Sequence, residues 1–309
     1  MATKRKRTPP IAKTETDTLS KAETLGSISD KKQASRKIGI SLSSDAVKRI
    51  VIRSVIVAAS FLVGAYFLWE EELMDVFVGV SDTVDRKYME VECSSDYTKE
   101  RAAFGVCVPT RCGRVVMDNV VTISEAEYLL RTAKAGLSMG ESYGGASILD
   151  LHSGALSKGD KFIDIYKQVK NKIHGAIARE FGIPVDKLYL TSPTFFSKMT
   201  PRPAQTVHDE YWQVHIDKET YGSFHYTSLL YLADYGRDFR GGRFVFLAPE
   251  RNITVEPRLG KCRVSFFTSG SENPHYVEKV SSGIRYAITV SFTCDPSKAI
   301  EDPNIKRLQ

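Results

Sequence analysis

Beyond residue 53 this sequence has no excess of basic residues. There 30 Lys and Arg face 32 Asp and Glu, a net −2, whereas residues 1–53 carry 13 against 5, a net +8. The overall charge of +6 therefore belongs to the N-terminal segment. A nucleic-acid-binding domain would carry a basic face of its own, so that function class is argued against for the folded part. Residues 1–48 contain no aromatic residue and one short stretch of apolar spacing, 38–47. Such a segment cannot bury enough surface to offset the entropy of ordering its chain, which predicts a disordered basic tail over 1–49. No D-x-D pair and no internal repeat occur. Cysteine is sparse and odd in number: Cys93, Cys107, Cys112, Cys262 and Cys294 leave at least one thiol unpaired within the chain.

What is present starts with a core-forming composition, 42% hydrophobic and 10% aromatic. Residues 50–69, IVIRSVIVAASFLVGAYFLW, hold one charge, Arg53. As a helix rising about 1.5 Å per residue they reach roughly 30 Å, a bilayer core, which predicts a signal-anchor span. A buried core helix is the alternative. Lys48, Arg49 and Arg53 precede the run and Glu70, Glu71 and Glu72 follow it. The positive-inside rule then puts the tail in the cytosol and the rest in a lumen of the secretory pathway, as a single-pass type II protein. Three cysteines within 93–112 fit that oxidising side, with their pairing open. So does the chain's one sequon, Asn252-Ile253-Thr254, read as a glycosylated turn.

Residues 70–115 read as a cysteine-containing stem, and 116–309 as the folded domain. Ser124 followed by Glu127 has capping-box spacing before an apolar stripe. A second helix is expected over 162–181, with apolar residues every fourth position. From Lys187 onward, YWQVHID, YTSLLYLA, RFVFLA, RVSFFT and RYAITVSFTC are short, β-branched, aromatic runs separated by turn residues. The expected class is α+β, helices packed on a double-stranded β-helix (jelly roll).

Within those runs lies His215-Ile216-Asp217. On a strand, residues two apart share a face, so imidazole and carboxylate can meet at one ion. His275, 58 residues on, can supply a third ligand. Two histidines and a carboxylate on one face of an octahedron suit non-haem iron and leave three positions open. His208-Asp209-Glu210 competes with the same spacing but follows a proline-rich, loop-like stretch. His225, His208 and Tyr211 are cleft candidates, against an equal case for ordinary packing; His152 and His174 receive no role. Arg285, ten residues after His275, has the planar fork that holds a carboxylate in two hydrogen bonds.

H-x-D, a distal His and a basic residue ten positions beyond it resemble the prolyl 4-hydroxylase branch of the iron(II)- and 2-oxoglutarate-dependent oxygenases. RYAITV resembles the final core strand of the hypoxia-sensing prolyl hydroxylases, YTSLLYLA the strand after H-x-D, and FRGGRFVF the GG turn with its following strand. The resemblance implies a dioxygenase hydroxylating an unidentified acceptor, such as a protein side chain, with succinate and CO₂ as co-products. It implies His215, Asp217 and His275 as iron ligands, Arg285 on the far carboxylate of 2-oxoglutarate, and Tyr231 donating to that carboxylate. L-ascorbate is a further small molecule it implies. Ser291 stands where the hypoxia-sensing enzymes have Trp, and Tyr221 to His225 where they have Arg, which leaves the acceptor open. Two other readings remain: an inactive oxygenase fold serving as a membrane adaptor, and a type II glycosyltransferase, which the absent D-x-D and the β-rich second half argue against.

Overall fold

The computed structural model describes residues 43–68, 74–140, 142–152 and 160–303. In chain order its elements are α1 (Ser44–Leu68), β1 (Asp75–Val78), β2 (Lys87–Val91), α2 (Thr98–Phe104), β3 (Cys112–Met117), α3 (Ile123–Leu137), β4 (Ala146–Asp150), α4 (Asp160–Phe181), β5 (Tyr189–Met199), α5 (Asp217–Tyr221), β6 (Tyr226–Tyr231), β7 (Phe239–Gly241), β8 (Phe244–Phe246), β9 (Ile253–Val255), β10 (Val264–Thr268), β11 (His275–Val277), β12 (Val280–Gly283) and β13 (Arg285–Thr293).

Helix α1 is a unit by itself. The Ser43 carbonyl and Oγ both accept from the Ala46 N–H, at 2.9 and 3.3 Å, and Asp45 lies in the first turn. A polar cap feeding directly into the apolar run starts the helix at Ser44, so 44–49 are not part of a disordered tail as expected. Residues 1–42 of that tail lie outside the described residues. Among the described residues no helix is long and apolar enough to cross a membrane. Asp45, Lys48, Arg49 and Arg53 crowd the first half of α1. The expected span over 50–69 runs on into 63–69, whose side chains lie outside the described set.

The second unit is a β-sandwich with helices against one face. Seven strands run in the order β2-β3-β10-β6-β13-β5-β4, and four in the order β1-β9-β8-β11. Alternation along the central strands sorts two cores. Leu230 of β6, Phe266 of β10 and Ile288, Val290 and Phe292 of β13 pack with Leu129 and Ala133 of α3 and Val169, Ile173 and Ile177 of α4. Leu229, Tyr231 and Phe267, on the opposite face, meet Phe244, Phe246, Val255 and Val277 of the smaller sheet. Being covered on both faces, β6 and β13 read as nearly continuous buried runs.

Three local expectations are corrected. The capping box is Thr122 with Glu125, not Ser124 with Glu127: the Glu125 N–H donates to Thr122 Oγ1, and the Thr122 N–H donates to Glu125 Oε2. Lys172 Nζ, 2.7 Å from the same carboxylate, holds Glu125 at that position. Residues 70–115 are not a separate stem, since β1 pairs parallel with β9, and β2 and β3 extend the larger sheet beside β10. Two disulfides, Cys93–Cys112 and Cys107–Cys294, close that region onto the end of β13, with Cys262 left as a buried thiol. YWQVHID is no strand: His215 makes only an isolated bridge with His275, and Asp217 is the first residue of α5.

Candidate metal centre

His215 and His275 reach one another through the backbone first. Each N–H donates to the other's carbonyl at 3.0 Å, which joins the loop before α5 to strand β11. The two rings then lie with centroids 4.4 Å apart. His275 is buried against Phe244 and Phe267, and that burial pulls its pKa down to about 4 despite the nearby Asp217 charge. Its Nδ1–H donates to the Asn273 carbonyl at 2.9 Å, and the His215 Nδ1–H to the Gln213 carbonyl at 3.0 Å. A carbonyl only accepts, so in the neutral ring Nδ1 holds the proton and Nε2 presents the lone pair a metal needs.

Asp217 completes the group by entering a helix instead of continuing a strand. Its Oδ1 lies 3.8 Å from His215 Nε2 and 3.7 Å from His275 Nε2. Both separations are below twice a metal–ligand bond of roughly 2.1 Å, so one ion can bridge Asp217 to either imidazole. Among the described residues, this is the one cluster of three His, Cys, Asp or Glu side chains whose donor atoms lie within 4.8 Å of one another. The donor set, two imidazoles and one carboxylate, suits iron(II) with open positions.

The three side chains line a cavity of about 190 Å³, with Arg285, Thr289 and Thr227 of the larger sheet on its inner wall. Arg285 is 1% exposed. Its Nε donates to the Gly242 carbonyl at 2.9 Å, while Nη2 has no hydrogen-bond partner among the described residues. Burial lowers its pKa, and a buried guanidinium nitrogen with no acceptor makes the inner end of the cavity fit a carboxylate. Gly242 holds the approach open: at φ 67° a Cβ there would sit 3.2 Å from the Arg285 side chain and 2.9 Å from Val280. His208 and Tyr211 stand at the outer wall.

Not every expected residue arrives. Tyr231 does not line the cavity; its hydroxyl is 2.8 Å from Ser265 Oγ and its ring backs the Arg285 guanidinium at 5.8 Å. As a buried residue of a strand covered on both faces, it contacts Arg285 from behind. His225 is buried elsewhere, 3.2 Å from Glu100 Oε2. Asn252 is half-buried at the entry to β9 and Thr254 is fully buried, so the sequon lies at a strand and not in an open turn. Thr227 and Thr289, which line the cavity, carry no expectation from the sequence. The period of two along β6, where Thr227 and Leu229 share the inner face with Tyr231, is the signal that points to the first of them.

A model of the 2OG-Fe(II) oxygenase superfamily matches residues 202–293. The chain is 52% identical, over 280 residues, to the Xenopus tropicalis protein named 2-oxoglutarate and iron-dependent oxygenase domain-containing protein 3, covering 83% of this chain and 87% of that one. It is 29% identical to prolyl 3-hydroxylase 1 of Gallus gallus over 59% of this chain and 29% of that one. Among solved structures, a Trichoplax adhaerens prolyl hydroxylase matches at TM-score 0.44 and 16% identity, over 65% of this chain and 94% of that one.

Proposed function

Because this chain belongs to the 2OG-Fe(II) oxygenase superfamily, whose members use iron(II) and 2-oxoglutarate, we propose that it hydroxylates a C–H bond on a polypeptide side chain. One observation carries the reading: a shared centre for His215, Asp217 and His275 and an unpaired nitrogen of Arg285 open onto the same cavity. The likeness to a protein named prolyl 3-hydroxylase 1 supports a polypeptide acceptor.

His215, Asp217 and His275 hold iron(II) in this reading. Arg285 takes the far carboxylate of 2-oxoglutarate through its free nitrogen, held at the right depth by its bond to Gly242. Bound there, iron and cosubstrate supply oxidising equivalents from O₂, with succinate and CO₂ as co-products. Phe244, Leu229 and Val277 form apolar wall around the three ligands and exclude water. His208 and Tyr211 stand where an acceptor enters, with the Tyr211 hydroxyl fixed by the Val280 N–H at 2.8 Å. The strand order around this cavity supports a double-stranded β-helix as the finer description of the sandwich.

The proposal extends to the oxidising lumen, supported by the two disulfides, with residues 50–69 as the anchor and Asn252 as the glycan site. Protease digestion of sealed microsomes leaving residues 70–309 exposed would sink the topology. The chemistry is tested by succinate formation triggered by a panel of secretory-protein peptides, with iron(II) and ascorbate present. Wild type is expected to respond to at least one peptide, and Asp217→Ala to lose the response at least 100-fold, on the order expected when a group acting as part of a unit is removed. Equal turnover by both proteins overturns the reading.

A further inference from the structure

Two buried hydroxyls stand behind Asp217. Thr227 Oγ1 is 2.6 Å from Asp217 Oδ2, and Ser269 Oγ is 2.9 Å from Thr227 Oγ1. Both residues are at most 2% exposed. An ionised carboxylate can only accept, so Thr227 is the donor, and its oxygen is left to accept from Ser269. The backbone of Ser269 is anchored in turn: its carbonyl accepts the Lys218 N–H at 2.9 Å and its N–H donates to the His225 carbonyl at 3.0 Å. The short chain runs from Ser269, the residue after β10, through Thr227 of the paired strand β6 to Asp217. One carboxylate oxygen, Oδ2, is occupied from behind. The other, Oδ1, is the atom that faces both imidazoles, at 3.8 and 3.7 Å.

We propose that Thr227, backed by Ser269, is a positioning residue that makes Asp217 a one-oxygen ligand of the metal. A carboxylate free to swing can engage an ion through both oxygens. That second contact would take a position which cosubstrate or O₂ needs. A charge-assisted bond of 2.6 Å to Oδ2 removes this freedom. Thr227 also lines the cavity, but its hydroxyl is taken up by Asp217 Oδ2, so the pair acts through the carboxylate. The inference rests on His215, Asp217 and His275 being metal ligands, and the test separates the two.

Cobalt(II) serves as the probe, because its visible absorption reports coordination number and geometry without turnover. The full chain, without iron, is titrated with Co(II) as wild type, Thr227→Val, Thr227→Ser and Asp217→Ala. Valine keeps the shape of threonine and deletes the donor; serine keeps the donor. Thr227→Val is expected to bind Co(II) about 10- to 100-fold more weakly, the usual loss for a group that orients a metal ligand, and with a changed visible band. Thr227→Ser is expected to restore wild-type affinity and band. Ser269→Ala, which removes only the donor behind Thr227, should shift both readouts in the same direction by less. Wild-type affinity and an unaltered band in Thr227→Val, while Asp217→Ala no longer binds, would overturn the positioning role alone. Tight Co(II) binding by Asp217→Ala would overturn the metal-site reading and this inference with it.

Discussion

Arg263 has no exposed surface, yet none of its five N–H donors is idle. Nε and Nη2 reach the two oxygens of Asp118, at 2.8 and 3.2 Å, Nη1 donates to the Gly79 and Glu256 carbonyls, and Nη2 also to the Asp82 carbonyl. The guanidinium therefore pins the loop after β1 and the end of β3 to the start of β10. Removing one partner of such a pair strands the other charge in the interior. Asp118→Ala is expected to lower unfolding stability by about 3–5 kcal/mol, measured by urea denaturation followed by tryptophan fluorescence, with Asp118→Asn losing less because it can still accept from Nε. A loss below about 1 kcal/mol, the usual size for an exposed pair, would show that solvent reaches the site. No periodicity marks this pair, because a buried arginine looks in sequence like a surface one. That His215, Asp217, His275 and Arg285 share one cavity was legible in residue types and spacings that metal and carboxylate chemistry would require. Thr227 was not, since a hydroxyl on a strand has many possible employments.

At the scale of elements, the cysteine-rich segment does what a stem would not. Asp96 accepts from the Ser271 N–H at 2.7 Å, and the Tyr97 hydroxyl accepts from the Gly270 N–H at 2.7 Å while donating to Glu272 at 3.0 Å. These bonds brace the loop between β10 and β11, which delivers Ser269 and His275. Helix α2 adds Glu100, whose Oε2 lies 2.6 Å from Lys218 Nζ and 3.2 Å from His225 Nε2, against the helix that begins with Asp217. The sequence reads as a stem here because β9 and β10, the partners of β1 and β3, lie over a hundred residues away, out of reach of any local pattern. Helices α3 and α4, whose apolar spacing is local, were placed within a few residues. Burial pushes the Glu100 carboxyl up, but its contacts with His225 and Lys218 outweigh that and hold it at about 2. A carboxylate with a folded pKa below its unfolded 4.5 contributes stability above that value, and the contribution is lost as pH falls through the folded one. Melting temperatures of wild type are therefore expected to drop more steeply than those of Glu100→Gln between pH 4.5 and about 2. Parallel curves for the two proteins would remove Glu100 from the account.

Across the whole molecule, the bond between Cys107 and Cys294 joins the segment before β3 to the residue after β13, a separation of 187 residues, whereas Cys93–Cys112 spans 19. Sequence composition showed three clustered cysteines but not this pairing, because nothing local tells Cys107 that the end of the last strand lies beside it. Next to that bond the Cys294 N–H donates to His225 Nδ1 at 3.2 Å, so the link meets the Glu100 cluster under α5. In the chain-entropy account a cross-link restricts the unfolded chain more as its loop lengthens. Taken singly, the long loop corresponds to about 5 kcal/mol and the short one to about 3 kcal/mol. Replacing Cys107 and Cys294 by serine and alanine should therefore cost more, within the roughly 2–5 kcal/mol seen for native disulfides, than the same change at Cys93 and Cys112. Differential scanning calorimetry of both double variants checks the order. The reverse order would mean that the short link matters through native contacts at the β2–β3 edge and not through the entropy of the unfolded chain.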